Sequence, residues 1–220
     1  MCAFLFDLDG TLVDSVYQHV LAWRDALERA NLPLSVWRIH RRIGMSGGLF
    51  VNALAREIGH PMGPEEVIRM QQFHAEAFQR YSAQVRPLPG ARELLAWLAQ
   101  QNVPHAIATS GYHASAAPSL KALGVSEKVP VVTRDQVAHA KPDPDLFLSA
   151  AERLGAPIEH SVVIGDSIWD LLAARRARAL GVGLLSGGYG QEELERAGAY
   201  RVYQDPADLL AHLDEVGVRV

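Results

Sequence analysis

Cys2-Ala3-Phe4-Leu5-Phe6-Asp7-Leu8-Asp9-Gly10-Thr11 passes from five apolar residues directly into two carboxylates, a glycine and a hydroxyl. An unbroken apolar run of this length is what a parallel strand buried on both faces requires. The polar residues after it then stand at the carboxyl edge of a sheet, where open parallel sheets bind their ligands. Two carboxylates two residues apart repel each other unless a cation lies between them or they differ in protonation. Gly10-Thr11 permits a tight turn whose backbone N–H groups can face an anion.

The same pattern recurs along the chain. Val103 to Ala108, Val129 to Val132, Ser161 to Ile164 and Val182 to Leu185 read as further strands, with helical patterns between them at Ala91 to Gln100, Ala114 to Leu123, Asp145 to Leu154 and Ile168 to Ala179. Such alternation implies an α/β fold, a Rossmann-like parallel sheet with helices on its faces. Three more polar segments follow these strands: Thr109-Ser110-Gly111, Lys141-Pro142-Asp143-Pro144, and Gly165-Asp166-Ser167 with Asp170 behind it. Segments a hundred residues apart can therefore meet at one sheet edge.

One stretch departs from the alternation. From Ser15 to Gln84 there is helical periodicity and no strand pattern: His19, Trp23 and Leu27 recur every four residues, as do Phe50, Leu54 and Ile58. Residues 15–85 are expected to form an inserted all-helical cap domain. Residues 1–14 with 86–220 are expected to form the core.

Composition narrows the class. The chain has 220 residues, 49% of them hydrophobic, and a net charge of −4. No basic block suits nucleic acid or an anionic membrane surface, and no apolar stretch reaches the roughly 20 residues of a membrane span. Cys2 is the only cysteine, which excludes a disulfide framework and a thiolate metal site. These features suggest a soluble cytoplasmic protein, and a monomer or homodimer is expected.

The polar segments carry complementary chemistry. Asp166 and Asp170, with Asp7 and Asp9, supply hard oxygen ligands suited to Mg²⁺. Thr109, Ser110 and Gly111 offer a hydroxyl and backbone N–H groups at a helix opening, where an anion is favoured. Lys141, on a proline-bounded loop, can act as a point charge toward phosphate. The histidines show no metal spacing; His113 and His139 read as surface residues. Gly44-Met45-Ser46-Gly47-Gly48 and Ser186-Gly187-Gly188-Tyr189-Gly190 lack the Walker and dinucleotide patterns. In the cap, Arg42 shares a helical face with Arg38 next to the flexible Gly44–Gly48 loop, and is the expected contact for a second anionic group on the substrate.

Asp7-Leu8-Asp9-Gly10-Thr11-Leu12-Val13-Asp14-Ser15, Thr109-Ser110-Gly111, Lys141-Pro142-Asp143-Pro144 and Gly165-Asp166-Ser167 with Asp170 occur in order, and nearly the whole chain resembles the haloacid dehalogenase superfamily. The resemblance is to the helical-cap branch that includes phosphoglycolate phosphatases and β-phosphoglucomutases. It implies that Asp7 is the nucleophile, Asp9 the general acid and base, and Lys141 the charge-balancing group. It implies that Thr109 and Ser110 hold phosphate, and that Mg²⁺ sits on Asp7, the Asp9 carbonyl and Asp166, with Asp170 behind. Dehalogenases lack the second acid of the first motif, and phosphonatases use a cap lysine. The stretch from Ser15 to Gln84 contains no lysine. The implied activity is a Mg²⁺-dependent phosphatase for a small phosphorylated metabolite, with a sugar phosphomutase as the alternative.

Overall fold

A computed structural model describes residues 2–217. The first motif opens the central strand: β1 (Ala3–Phe6) is wholly buried and pairs on both sides. Around it run β4 (His105–Ala108), β5 (Val131–Val132), β6 (Ser161–Gly165), β7 (Leu180–Leu184) and β8 (Ala199–Tyr203). They form one sheet in the order β5-β4-β1-β6-β7-β8, parallel throughout. The helices α5 (Ala91–Gln100), α6 (His113–Leu123), α7 (Asp145–Arg153), α8 (Ile168–Ala177), α9 (Gln191–Ala197) and α10 (Pro206–Ala211) complete the core. The chain builds outward from β1 through β4 to β5, then returns to β6 on its other side. That reversal opens a crevice at the strands' carboxyl ends, the usual ligand position of doubly wound sheets. Both faces of β1 are covered: Phe4 and Phe6 belong to one apolar cluster, Leu5 to another. Burying each such side chain stabilises the fold by roughly 1.5–3 kcal/mol.

The inserted segment is a helical cap made of α1 (Val16–Arg29), α2 (Val36–His40), α3 (Gly47–Glu57) and α4 (Pro64–Tyr81). Trp23, Leu27, Ile39, Phe50, Leu54 and Met70 form its own apolar cluster. Trp23 stacks on Phe50 with ring centroids 4.1 Å apart. The chain leaves and re-enters the core through a short antiparallel ribbon, β2 (Val13–Asp14) against β3 (Arg86–Pro87). Across from that ribbon the cap touches the core again. Tyr189 Oη donates to the Arg41 carbonyl at 2.8 Å, His40 Nε2 lies 2.8 Å from the Gly187 carbonyl, and Arg41 pairs with Glu193. Ser110 Oγ donates to the Gly44 carbonyl at 3.0 Å, so the cap loop is closed onto the sheet edge. Among the described residues, no helix is long and apolar enough to cross a membrane.

Several boundaries differ from those read in the sequence. The strands expected at Val103 and Val129 begin two residues later, after Pro104 and Pro130, which have no N–H for the ladder. The helix expected to reach Ala179 ends at Ala177 because Arg178 adopts φ 64°. Strand β8 carries no unbroken apolar run; Tyr200 and Arg201 are exposed and only one flank is paired, as an edge strand allows. The ends of the expected core range, residues 1 and 218–220, lie outside the described residues.

Candidate active site

The ends of β1, β4 and β6 lie side by side, and the loops leaving them bring the polar motifs together. Asp7 is 4% exposed, Asp166 3%, and Lys141 and Asp170 not at all. Ligand oxygens of Asp7, Asp166 and Asp170 all lie within 4.8 Å of one another. Lys141 Nζ is paired with Asp7 Oδ1 and stands 2.8 Å from Asp170 Oδ1. Thr11 Oγ1 donates to Asp166 Oδ1 at 2.9 Å, which fixes that carboxylate. Asp170 takes the Ser167 N–H at 3.1 Å and its hydroxyl at 2.5 Å on Oδ2. Ser167 is the N-cap of α8, and Asp170 three residues on closes a capping box by accepting its backbone N–H.

Three buried carboxylates face one ammonium, so the cluster carries excess negative charge. Burial pushes Asp7 up to about 7, the charges of Asp170 and Asp9 push the same way, and Lys141 only partly opposes them. Burial, then Asp170 and Asp7, raises Asp166 well above the carboxylate range. Lys141 is raised despite its burial, because Asp170 and Asp7 stabilise its charge. An all-oxygen donor set with surplus negative charge suits a hard divalent cation such as Mg²⁺. The backbone leaves room for it: a Cβ at Gly187 would run into the Asp166 carboxyl, and one at Gly10 would stand 2.5 Å from Asp166 Oδ2. The residues present therefore fit such an ion.

Asp9 is oriented differently. Its Oδ1 accepts from Ser15 Oγ at 2.6 Å and lies 3.4 Å from His19 Nε2 on α1 of the cap. Burial alone would raise its carboxyl, but the charge and hydrogen bond of His19, the Ser15 hydroxyl and Lys141 outweigh burial and hold it below its usual range. His19 Nδ1 in turn lies 3.2 Å from His74 Nε2 on α4. The two imidazoles pack against Phe78 and Trp23, with His19 4.0 Å from Phe78 and His74 4.2 Å from Trp23 between ring centroids. Asp7, Asp9, Thr109, Ser110 and Gly111 line one side of a cavity of about 110 Å³; His19, Trp23, Met45, Gln71 and His74 line the cap side.

His74 has a measurable consequence. Desolvation first, and His19 second, hold it well below the ordinary imidazole value, so it is neutral in the folded protein. In the unfolded chain a histidine takes up its proton below about 6.5. The unfolded state then binds more protons, and stability falls as pH drops from that value toward the folded pKa, by at most about 1.4 kcal/mol per pH unit. Comparing melting temperatures between pH 7.5 and 5.5 should give a shallower slope for His74→Gln than for the wild type. Parallel slopes would show that His74 is not neutral by burial.

The haloacid dehalogenase-like hydrolase family model matches residues 1–178. The chain belongs to that family. A probable phosphatase of Dickeya dadantii, IndB, is 33% identical and aligns over 88% of this chain and 85% of its own length. A phosphoglycolate phosphatase of Agrobacterium fabrum is 30% identical over 83% of this chain and 80% of its own. A solved structure of a hydrolase from Pseudomonas syringae superposes with a TM-score of 0.97 at 57% identity, covering 99% of this chain and 100% of that one. Among haloacid dehalogenase-like hydrolases the chain is thus a phosphatase, a phosphoric monoester hydrolase.

Of the site residues read from the sequence of this hydrolase, Asp7, Lys141, Asp166 and Asp170 meet in one cluster, and Asp9, Thr109, Ser110 and Gly111 border the same cavity. The Asp9 side chain stands apart from the carboxylate cluster, as its pairing with Ser15 and His19 requires. Arg42 lines the cavity, but its guanidinium is engaged elsewhere, by Glu57 and by the Arg38 carbonyl at 2.7 Å. Arg38 pairs with the same glutamate at 2.7 Å. Both guanidiniums of that face are therefore held by the one carboxylate of Glu57. His19, His74 and Gln71 were not singled out from the sequence. The four-residue spacing of His19, Trp23 and Leu27 signals a packed helical face, and that signal is the same whether a histidine packs or acts.

Proposed function

We propose that the protein hydrolyses the phosphomonoester of a small metabolite, with Mg²⁺ and through an aspartyl-phosphate on Asp7. The observation that carries the proposal is the placement of Asp7. Its carboxylate is buried against Lys141 and lies among the oxygens of Asp166 and Asp170, at the floor of a cavity that Asp9 and Thr109 also line. Residues 15–85 act as the cap and the rest of the chain as the core, with the β2–β3 ribbon at the boundary.

In the first half-reaction an Asp7 oxygen attacks phosphorus and the bond to the leaving oxygen breaks. The Asp9 carboxyl gives that oxygen its proton. In the second, the Asp9 carboxylate takes a proton from water, the water oxygen attacks phosphorus, and phosphate leaves with Asp7 restored. Thr109, with Ser110 and Gly111, holds the phosphoryl oxygens; Thr109 Oγ1 already accepts the Gly111 N–H at 3.0 Å, leaving its own proton free to donate. Lys141 offsets the charge of Asp7 as it approaches an anionic ester. Mg²⁺, held by Asp7, Asp166 and the Asp9 carbonyl with Asp170 behind them, would supply neutralising charge to the transferring group. Phosphoryl transfer asks for little else, since positioning and charge stabilisation supply nearly all of its catalysis.

The alternative of a sugar phosphomutase is less well supported. A mutase passes through a bisphosphorylated sugar and must hold a second phosphate on the cap side. The one arginine there is already paired with Glu57.

p-Nitrophenyl phosphate tests the reading. Release of phosphate should require Mg²⁺ and stop with EDTA. Independently of turnover, Mg²⁺ at a hundredfold excess over its Kd should stabilise the fold by about 2.7 kcal/mol, read as a rise in melting temperature. Turnover undiminished by EDTA would refute the metal-assisted mechanism.

A further inference from the structure

Resting on the hydrolase reading above, we propose that the leaving group of the natural substrate is an uncharged, hydroxylated alcohol, of the polyol or sugar class, and not a carboxylate-bearing one. The cap side of the cavity is built from Trp23, Ile43, Met45 and Ala75, with three amide or imidazole side chains, Gln71, His74 and His19, the last of them paired with Asp9. Its cationic residue, Arg42, is closed off by Glu57 and the Arg38 carbonyl. His74 is neutral.

The space beyond the cavity is uncharged as well. A groove of about 370 Å³ between α4 and α6 adjoins it through Gln71, Ala75, Tyr112 and Ser115, and no charged residue lines that groove. Instead it adds two further amides, Gln72 and Gln79. An amide offers both donors and an acceptor, which matches the two-way hydrogen bonding of hydroxyl groups.

A second anion fares badly in this setting. It would be stripped of water against Trp23, Ile43 and Met45 while the lining Arg42 and His19 are already paired with Glu57 and Asp9, and buried unpaired charge is costly. Asp7 and Asp9 on the opposite wall would repel it further. A neutral alcohol meets neither penalty, and its hydroxyls find Gln71 and His74. The cavity is well below the roughly 300–1,000 Å³ of sites for drug-sized ligands, which favours a compact molecule.

The test compares kcat/KM, with Mg²⁺ present, for glycerol 2-phosphate and 2-phosphoglycolate, with p-nitrophenyl phosphate as the reference ester. The wild type should prefer the glycerol ester by about tenfold or more, a modest preference beside what sites built around buried polar groups can reach. Gln71→Lys places a cation in the uncharged wall. It should shift the ratio of the two esters at least about tenfold toward phosphoglycolate, a charge-assisted contact being the stronger kind. Equal use of the two esters by the wild type, or a preference for phosphoglycolate, would overturn the inference and leave the hydrolase reading standing. So would a ratio unmoved by Gln71→Lys. No phosphate release from any of the three esters would overturn both.

Discussion

Asp7→Asn should abolish turnover and leave the fold intact. The amide matches the carboxylate in shape but has no anionic oxygen to attack phosphorus. Removing a nucleophile of this kind costs about 10⁴-fold or more in kcat. The protein should survive the change because Lys141 keeps Asp170 as its partner 2.8 Å away. In the metal-free protein the substitution should even help at neutral pH. The Asp7 carboxyl is raised to about 7, by burial first and by Asp170 and Asp9 after it. The folded state therefore binds a proton more tightly than the unfolded chain. Its contribution to stability is full below the unfolded value near 3.9 and is lost as pH rises through about 7. Asparagine removes that loss. Melting curves in EDTA should fall with pH across this window for the wild type and less steeply for Asp7→Asn, while Mg²⁺ should stabilise the wild type more. Residual activity near the wild-type level would exclude Asp7 as the nucleophile. A variant that does not fold would contradict the electrostatic account of the cluster.

The fold and the carboxylate cluster were legible in the sequence because each part is encoded locally. Phe4, Leu5 and Phe6 read as a buried strand from their own neighbours, and Asp7 follows from where that strand stops. Gly165-Asp166-Ser167 repeats the arrangement at β6, and parallel topology does the rest. Lys141 is different. Nothing beside it marks a lysine with no exposure; its burial depends on Asp7 and Asp170 arriving from other strands. His19 was hidden for a further reason. It meets Asp9 across the boundary between core and cap, and meets His74 across two cap helices, so neither contact has a fixed sequence spacing. The pairing of Arg42, in the turn after α2, with Glu57, fifteen residues on at the end of α3, was invisible for the same cause. Strand β8 was missed because edge strands need only one buried flank.

Asp9→Asn separates proton transfer from metal binding, since its carboxylate faces Ser15 and His19 while Asp7, Asp166 and Asp170 form the cation cluster. Mg²⁺ affinity, followed by thermal shift, should stay near that of the wild type. Turnover should fall by about 10²–10⁴, the usual contribution of a general acid and base. In the first half-reaction the fall should depend on the leaving group. An alkyl ester departs as a poor alkoxide and needs the proton; p-nitrophenolate leaves without one. With p-nitrophenyl phosphate, the variant should therefore still release a burst of nitrophenolate equal to the enzyme present. It should then stall, because the water that clears the aspartyl-phosphate has lost its base. The surroundings of Asp9 add a second expectation. His19, Ser15 and Lys141 hold its carboxyl low against the effect of burial, so at neutral pH the resting group is ionised. The proton it gives to an alkoxide must then reach it during the cycle, and His19, 3.4 Å away, is the neighbour placed to pass it on. His19→Gln should accordingly slow alkyl esters more than p-nitrophenyl phosphate, by about tenfold, less than Asp9→Asn because the carboxyl itself remains. Equal first-turnover losses on both esters in either variant, or a missing burst in Asp9→Asn, would remove Asp9 from the proton path and leave it a structural partner of Ser15.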